Sequence, residues 1–176
     1  MNRRPAPVSK WLVFLALAVA PACAVTQTQR GPALSNKASW VVLPFTNLAE
    51  TTRAGDRVAS LASTLLRVRG VKDLNEYATP HDALPQVEDG PRLTDAIAWA
   101  RARGYVYGVT GRVQEWRYRT GTDGEPAVGL SLAIIDIASG RTVWAGAGSR
   151  SGWRQDTVSG TAQRLLADLL DQVDLR

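Results

Sequence analysis

Apolar positions along the chain change rhythm several times, and each rhythm predicts an element. Ser39 to Phe45 is a short apolar run that reads as a strand, with Pro44 as a breaker and Asn47 marking its end. From about Arg53 to Val68, Val58, Leu61, Ala62 and Leu65 recur at helical spacing, and Gly70 supplies a stop. Asp73 to Tyr77 predicts a second short strand. Ala78 to Pro91 contains three prolines and scattered acids, which predicts a loop. Arg92 to Arg103 reads as a helix with Ile97 and Ala100 on one face and Gly104 ending it.

After Tyr105 the period becomes two. Val109, Gly111 and Val113 alternate with Thr110, Arg112 and Gln114, as in a half-buried strand. Gly121-Thr-Asp-Gly124 makes a turn, Ala127 to Ile137 a second strand, and Ser139-Gly140 another turn into Arg141 to Ser149. Strands joined this tightly form an antiparallel meander. A final amphipathic helix carries Val158, Ala162, Leu165, Leu166, Leu169 and Val173 on one side. The order β-α-β-α-β-β-β-α predicts an α+β domain: a single mixed sheet with a C-terminal meander and helices packed on it. Asp168, Asp171 and Asp174 crowd the end of the last helix, where its dipole disfavours negative charge. That placement calls for a partner or a solvated acidic rim.

One further apolar run stands apart. Trp11 to Ala20 follows Arg3, Arg4 and Lys10 and ends in small residues before Cys23. It is too short to span a bilayer, which takes roughly 20 apolar residues, and it has the outline of a bacterial secretory signal over residues 1–22. Cys23 is the only cysteine, so it makes no internal disulfide. Its place at the cleavage point favours a lipidated N-terminus over ordinary cleavage after Ala20-Pro21-Ala22, which the small-x-small pattern also permits. Residues 23–37 are polar and aperiodic and read as a lipidated tether, and residues 38–176 as one domain.

Removing the signal changes the charge. Of 21 basic and 16 acidic residues, three basic and no acidic ones precede Cys23, leaving 18 against 16, a net charge of +2. No dense basic stripe remains, which argues against a nucleic-acid partner. Reactive side chains are sparse too. His81 is the only histidine, so there is neither a metal set nor a nucleophile with its base. Asp123 and Glu125 could pair as acid and base, but Asp-Gly is ordinary turn chemistry. Gly146-Ala-Gly148 lacks the setting of a phosphate loop. A non-catalytic role without cofactor or metal is expected. Among the tryptophans, Trp40, Trp99 and Trp144 are expected in the core, Trp116 at a sheet edge or interface. Trp153, in the polar loop Ser149-Arg-Ser-Gly-Trp153-Arg154, is either tucked in or presented to a membrane or partner.

Several segments are similar to one family. Ser39-Trp-Val-Val-Leu-Pro-Phe-Thr-Asn-Leu-Ala-Glu-Thr51, Glu115-Trp-Arg-Tyr118, Asp123-Gly-Glu-Pro-Ala-Val-Gly-Leu130, Arg150-Ser-Gly-Trp153 and Ser159-Gly-Thr-Ala-Gln163 closely resemble PelC, the outer-membrane lipoprotein family of bacterial Pel exopolysaccharide export. The resemblance covers essentially the whole chain after Cys23. It implies a homo-oligomeric, dodecameric ring held by lipid on the periplasmic face of the outer membrane. Its partners would be a β-barrel exporter with a helical-repeat periplasmic region and a cationic exopolysaccharide. By the same resemblance Cys23 is the lipidated residue, Asp123 the polymer-facing acid and Trp153 the membrane-interface aromatic. The competing reading is a periplasmic lipoprotein that activates a cell-wall synthase, since such lipoproteins open with a similar strand.

Overall fold

A computed structural model describes residues 24–78, 89–119 and 124–176. In chain order its elements are β1 (Ala24–Thr28), β2 (Trp40–Asn47), α1 (Ala54–Val68), β3 (Leu74–Glu76), α2 (Asp89–Ala102), β4 (Tyr107–Tyr118), β5 (Pro126–Asp136), β6 (Arg141–Ser151) and α3 (Val158–Leu170). The strands form one open mixed sheet in the order β1-β6-β5-β4-β2-β3. β2 pairs parallel with β3 and β4; the remaining pairs are antiparallel, as a meander requires. From β2 onward the order is the expected one.

Connectivity explains which face each helix takes. The chain leaves β2 through α1 to reach β3 on one side, then returns through α2 to β4 on the other side. Crossovers between parallel strands keep one hand, so reversing direction moves the helix to the opposite face. α1 and α3 accordingly share one core with Trp40, Val42, Val109, Val113, Val128, Leu130, Ile134 and Trp144. α2 packs Ala96 and Ala100 against Val41, Leu43, Ile135 and Ile137 on the other face.

The segment read as a tether is ordered in part. Ala24–Thr28 forms β1 along β6 although all five side chains are exposed, so backbone pairing, with no buried side chain to announce it, builds this strand. Leu34 is buried, its N–H donates to the Asp174 carbonyl (2.8 Å), and its carbonyl accepts from Arg176 N–H (2.9 Å). This clasp ties the start of the domain to its end.

Smaller differences have local causes. β2 ends at Asn47 as expected, and Pro44 bends it without stopping it: a register shift between Val42 and Phe45 absorbs the missing N–H, and the Thr110 hydroxyl donates to the freed Pro44 carbonyl (2.6 Å). α2 starts at Asp89, inside the stretch read as loop, because Pro91 is tolerated in a first helical turn. α3 stops at Leu170, and Val173 is buried from the turn that follows.

Candidate functional site

Four strands bring distant segments to one end of the sheet. β1 runs antiparallel to β6, with Ala24 opposite Arg150. The residue that follows Cys23 therefore lies beside the segment that leads into Trp153. β5 starts at the same end: Ala127 sits opposite Ser151, and the Pro126 carbonyl accepts from Gly152 N–H (2.8 Å). β4 finishes there, with Tyr118 opposite Pro126 and Arg119 N–H donating to the Glu125 carbonyl (2.8 Å). Cys23 and Asp123 themselves, like His81, fall outside the described residues. The strand ends that flank Cys23 and Asp123 in sequence converge on the Trp153 loop.

The geometry of that loop is set by its neighbours. Gly152 is buried, and a Cβ there would come within 2.7 Å of Pro126 Cγ and closer still to Thr161 Oγ1. Only glycine lets the chain pass under α3 at this point. Beyond it, Trp153 N–H donates to Asp156 Oδ2 (2.7 Å), and Asp156 N–H donates back to the Trp153 carbonyl (2.8 Å). The other Asp156 oxygen pairs with Arg164 (2.8 Å). Both contacts, the Trp153 N–H foremost, hold the Asp156 carboxyl below its ordinary value of 3.8. Thr157 then caps α3 by accepting from Gly160 N–H (3.0 Å). The result is a fixed turn with its indole outside: Trp153 is 55% exposed. The Trp153 indole is thus not tucked against its own domain.

The other tryptophans go elsewhere. Trp40 and Trp144 are buried as expected, and Trp99 is partly buried, stacked on Tyr105 with the Arg103 guanidinium over its ring at 4.3 Å. Trp116, expected at an edge or interface, is core. The reason is a bulge between Val113 and Glu115, which shifts the alternation by one and turns position 116 inward. Position 118 keeps that phase but lies at the strand's very end, and Tyr118 is 52% exposed.

The acidic end of α3 finds its partners within the chain. Arg150 Nη1 reaches Asp168 at 3.0 Å, Arg69 pairs with Asp171 while also donating to the Ala167 carbonyl (2.9 Å), and Arg176 pairs with Asp174 at 2.8 Å. The arginines offset the dipole penalty, so these aspartates need no external ligand. A shallow groove of about 460 Å³ opens beside the starts of α1 and α3, lined by Arg53, Asp56, Arg57, Ser60, Leu61 and Ser159. Among the described residues, no three His, Cys, Asp or Glu side chains gather as a metal set.

The sequence alone does not mark Gly152 and Asp156 as site residues. The adjacency of Gly152 to a loop tryptophan was the available signal; the Asp156 contact depends on a three-residue turn that composition does not reveal.

No protein-family model matches the chain, and no curated protein sequence matches it. Solved structures do. A PelC dodecamer from Paraburkholderia phytofirmans has a TM-score of 0.75 and 33% identity, covering 88% of this chain and 99% of that one. A point variant of that dodecamer, in another space group, gives the same TM-score and identity over 88% and 100%. A lipoprotein of Neisseria meningitidis shares the fold at a TM-score of 0.51 and 17% identity, covering 77% and 96%. The PelC match combines sequence identity, shared fold and near-complete coverage, and on that ground the chain belongs to the PelC family.

Proposed function

We propose that this chain is a lipid-anchored, non-catalytic component of exopolysaccharide export. It assembles as a ring on the periplasmic face of the outer membrane and guides cationic Pel polymer towards a β-barrel exporter with helical repeats. Cys23 carries the lipid, Trp153 sits at the membrane interface and Asp123 faces the polymer. One observation carries the reading: strand register gathers the ends flanking Cys23 and Asp123 beside the exposed Trp153. The dodecameric state of the relative from P. phytofirmans supports the ring.

The physics suits a transport role. One exposed carboxylate is screened within about 8–10 Å at physiological salt. Repeating it in every subunit around a passage concentrates the field there. A cationic polymer is then attracted by contacts weak enough to release it. A single acyl chain anchors only marginally, and additional chains or a multi-copy assembly make attachment durable.

The test is export. Cys23→Ser is expected to abolish Pel secretion, and Asp123→Ala to weaken it with folding and assembly intact. Detergent-extracted protein is expected to have the mass of a ring. Full export by both variants, or a monomer that stimulates a cell-wall synthase, would contradict the proposal.

A further inference from the structure

Trp153 is not the only large aromatic presented at its end of the sheet. Tyr118 and Trp153 are each about half exposed. Tyr118 faces Pro126 across the β4–β5 pair, and Pro126 is hydrogen-bonded to Gly152. Two strand spacings therefore separate Tyr118 from the Trp153 loop, roughly 10 Å. Arg119 and Arg154, the residues that follow the two aromatics, are both exposed. The Thr51 hydroxyl donates to the Trp116 carbonyl (2.7 Å), which brings the start of α1 close to the same end. α3 also starts there, at Val158. Both helices thus direct their positive dipole ends this way.

At the opposite end, the aromatics are turned in. Trp40 packs against Tyr107 with ring centroids 4.7 Å apart, and its indole N–H donates to the Ser35 carbonyl at 3.0 Å. The large apolar side chains exposed there, Val68 and Val106, are aliphatic.

We infer that the Tyr118–Trp153 end is a two-point docking surface for a phospholipid bilayer, with Tyr118 as the second anchor and Arg119 and Arg154 at the level of the headgroup phosphates. The inference rests on the membrane-facing reading of Trp153 proposed above. Tyrosine and tryptophan each pair an apolar body with a polar tip, the chemistry that settles at a membrane–water interface. Guanidinium groups complement phosphate in charge and geometry. The occupant is further indicated by where the chain leads. Residues 1–23 join the domain at Ala24, at this same end, so an acyl group on Cys23 would enter the bilayer beside the two rings. Two separated anchors fix the tilt of the domain, which one aromatic cannot do.

Vesicle co-sedimentation tests this without relying on the acyl group. The secreted chain carrying Cys23→Ser is mixed with vesicles of phosphatidylethanolamine and phosphatidylglycerol, or of phosphatidylcholine alone. Tyr118→Ser is expected to lower partitioning about three- to tenfold on the mixed vesicles, an effect comparable to that of Trp153→Ser. Tyr118→Trp is expected to retain binding, Val68→Ser to leave it unchanged, and the phosphatidylcholine arm to bind more weakly. Thermal melts of each variant confirm folding. Equal partitioning with and without Tyr118, or an equal loss on Val68→Ser, overturns the inference. The mass of the wild-type mature N-terminus separates the two ideas. Lipid on Cys23 with no Tyr118 effect sinks the docking surface alone. Tyr118-dependent binding with no lipid sinks the anchor and leaves the surface standing.

Discussion

The two ends of the sheet treat the same residue types in opposite ways. At the end where β2 begins, Trp40 is fully buried, its indole N–H satisfied by Ser35, and the Leu34 clasp closes over the C-terminus. At the end where β6 finishes, Trp153 stands outside on a turn whose backbone is bonded on both sides by Asp156. The first end is built for stability. The second holds a large aromatic in the solvent, a costly arrangement that a surface partner would offset. Ion pairs do not distinguish the ends, since Arg69–Asp171 at one and Arg164–Asp156 at the other are both intramolecular. The aromatic side chains carry the contrast.

Substituting the two tryptophans breaks the comparison most strongly. Trp40→Ala is expected to cost about 3–5 kcal/mol by denaturant titration, whereas Trp153→Ala should stay within about 0.5 kcal/mol and impair membrane binding instead. Equal destabilisation would show that Trp153 is also structural. Next in size, Gly152→Ala forces a Cβ into Pro126 and Thr161 and should cost about 1–3 kcal/mol. That variant should also displace the indole, which a change in quenching by a soluble quencher would reveal.

At the other end, Arg69→Ala removes the partner of Asp171 and of the Ala167 carbonyl. Asp171 is largely exposed, so solvent screening limits the loss to about 1 kcal/mol, decreasing with added salt. The smallest effect is a titration. The Asp156 carboxyl, partly exposed, is lowered by the Trp153 N–H and Arg164, so the turn is intact above the ordinary value of 3.8. It loosens only as pH falls through the lowered value. The Trp153 amide resonance should hold steady from about pH 5 to 8 and move only under stronger acid, and Asp156→Asn should remove the transition.

Much of this fold is legible in the sequence because burial leaves a period. The helical spacing of α1 and α3, and the alternation along the meander, each reflect one covered face. β1 leaves no such mark, since every one of its side chains is exposed. Leu34 is a lone apolar residue without a periodic neighbour. The β4 bulge hides the fate of Trp116, because the two-residue rhythm read forward from Val113 places Glu115 inward. The site is legible to a different degree. A tryptophan in a polar, glycine-containing loop and a lone cysteine at a signal cleavage point both stand out unaided, whereas the polymer-facing role of Asp123 comes only from the resemblance to PelC. The convergence of the strand ends that flank Cys23 and Asp123 depends on register between segments more than a hundred residues apart, such as Ala24 and Arg150. No local pattern encodes that.

Hydrogen exchange on the lipid-modified protein, compared between detergent and phospholipid vesicles, tests most directly whether the Trp153 end faces the membrane. The account predicts added protection in vesicles for peptides spanning 115–119 and 150–156, with 66–74 and 170–176 unchanged. Protection confined to 66–74 and 170–176 would contradict it.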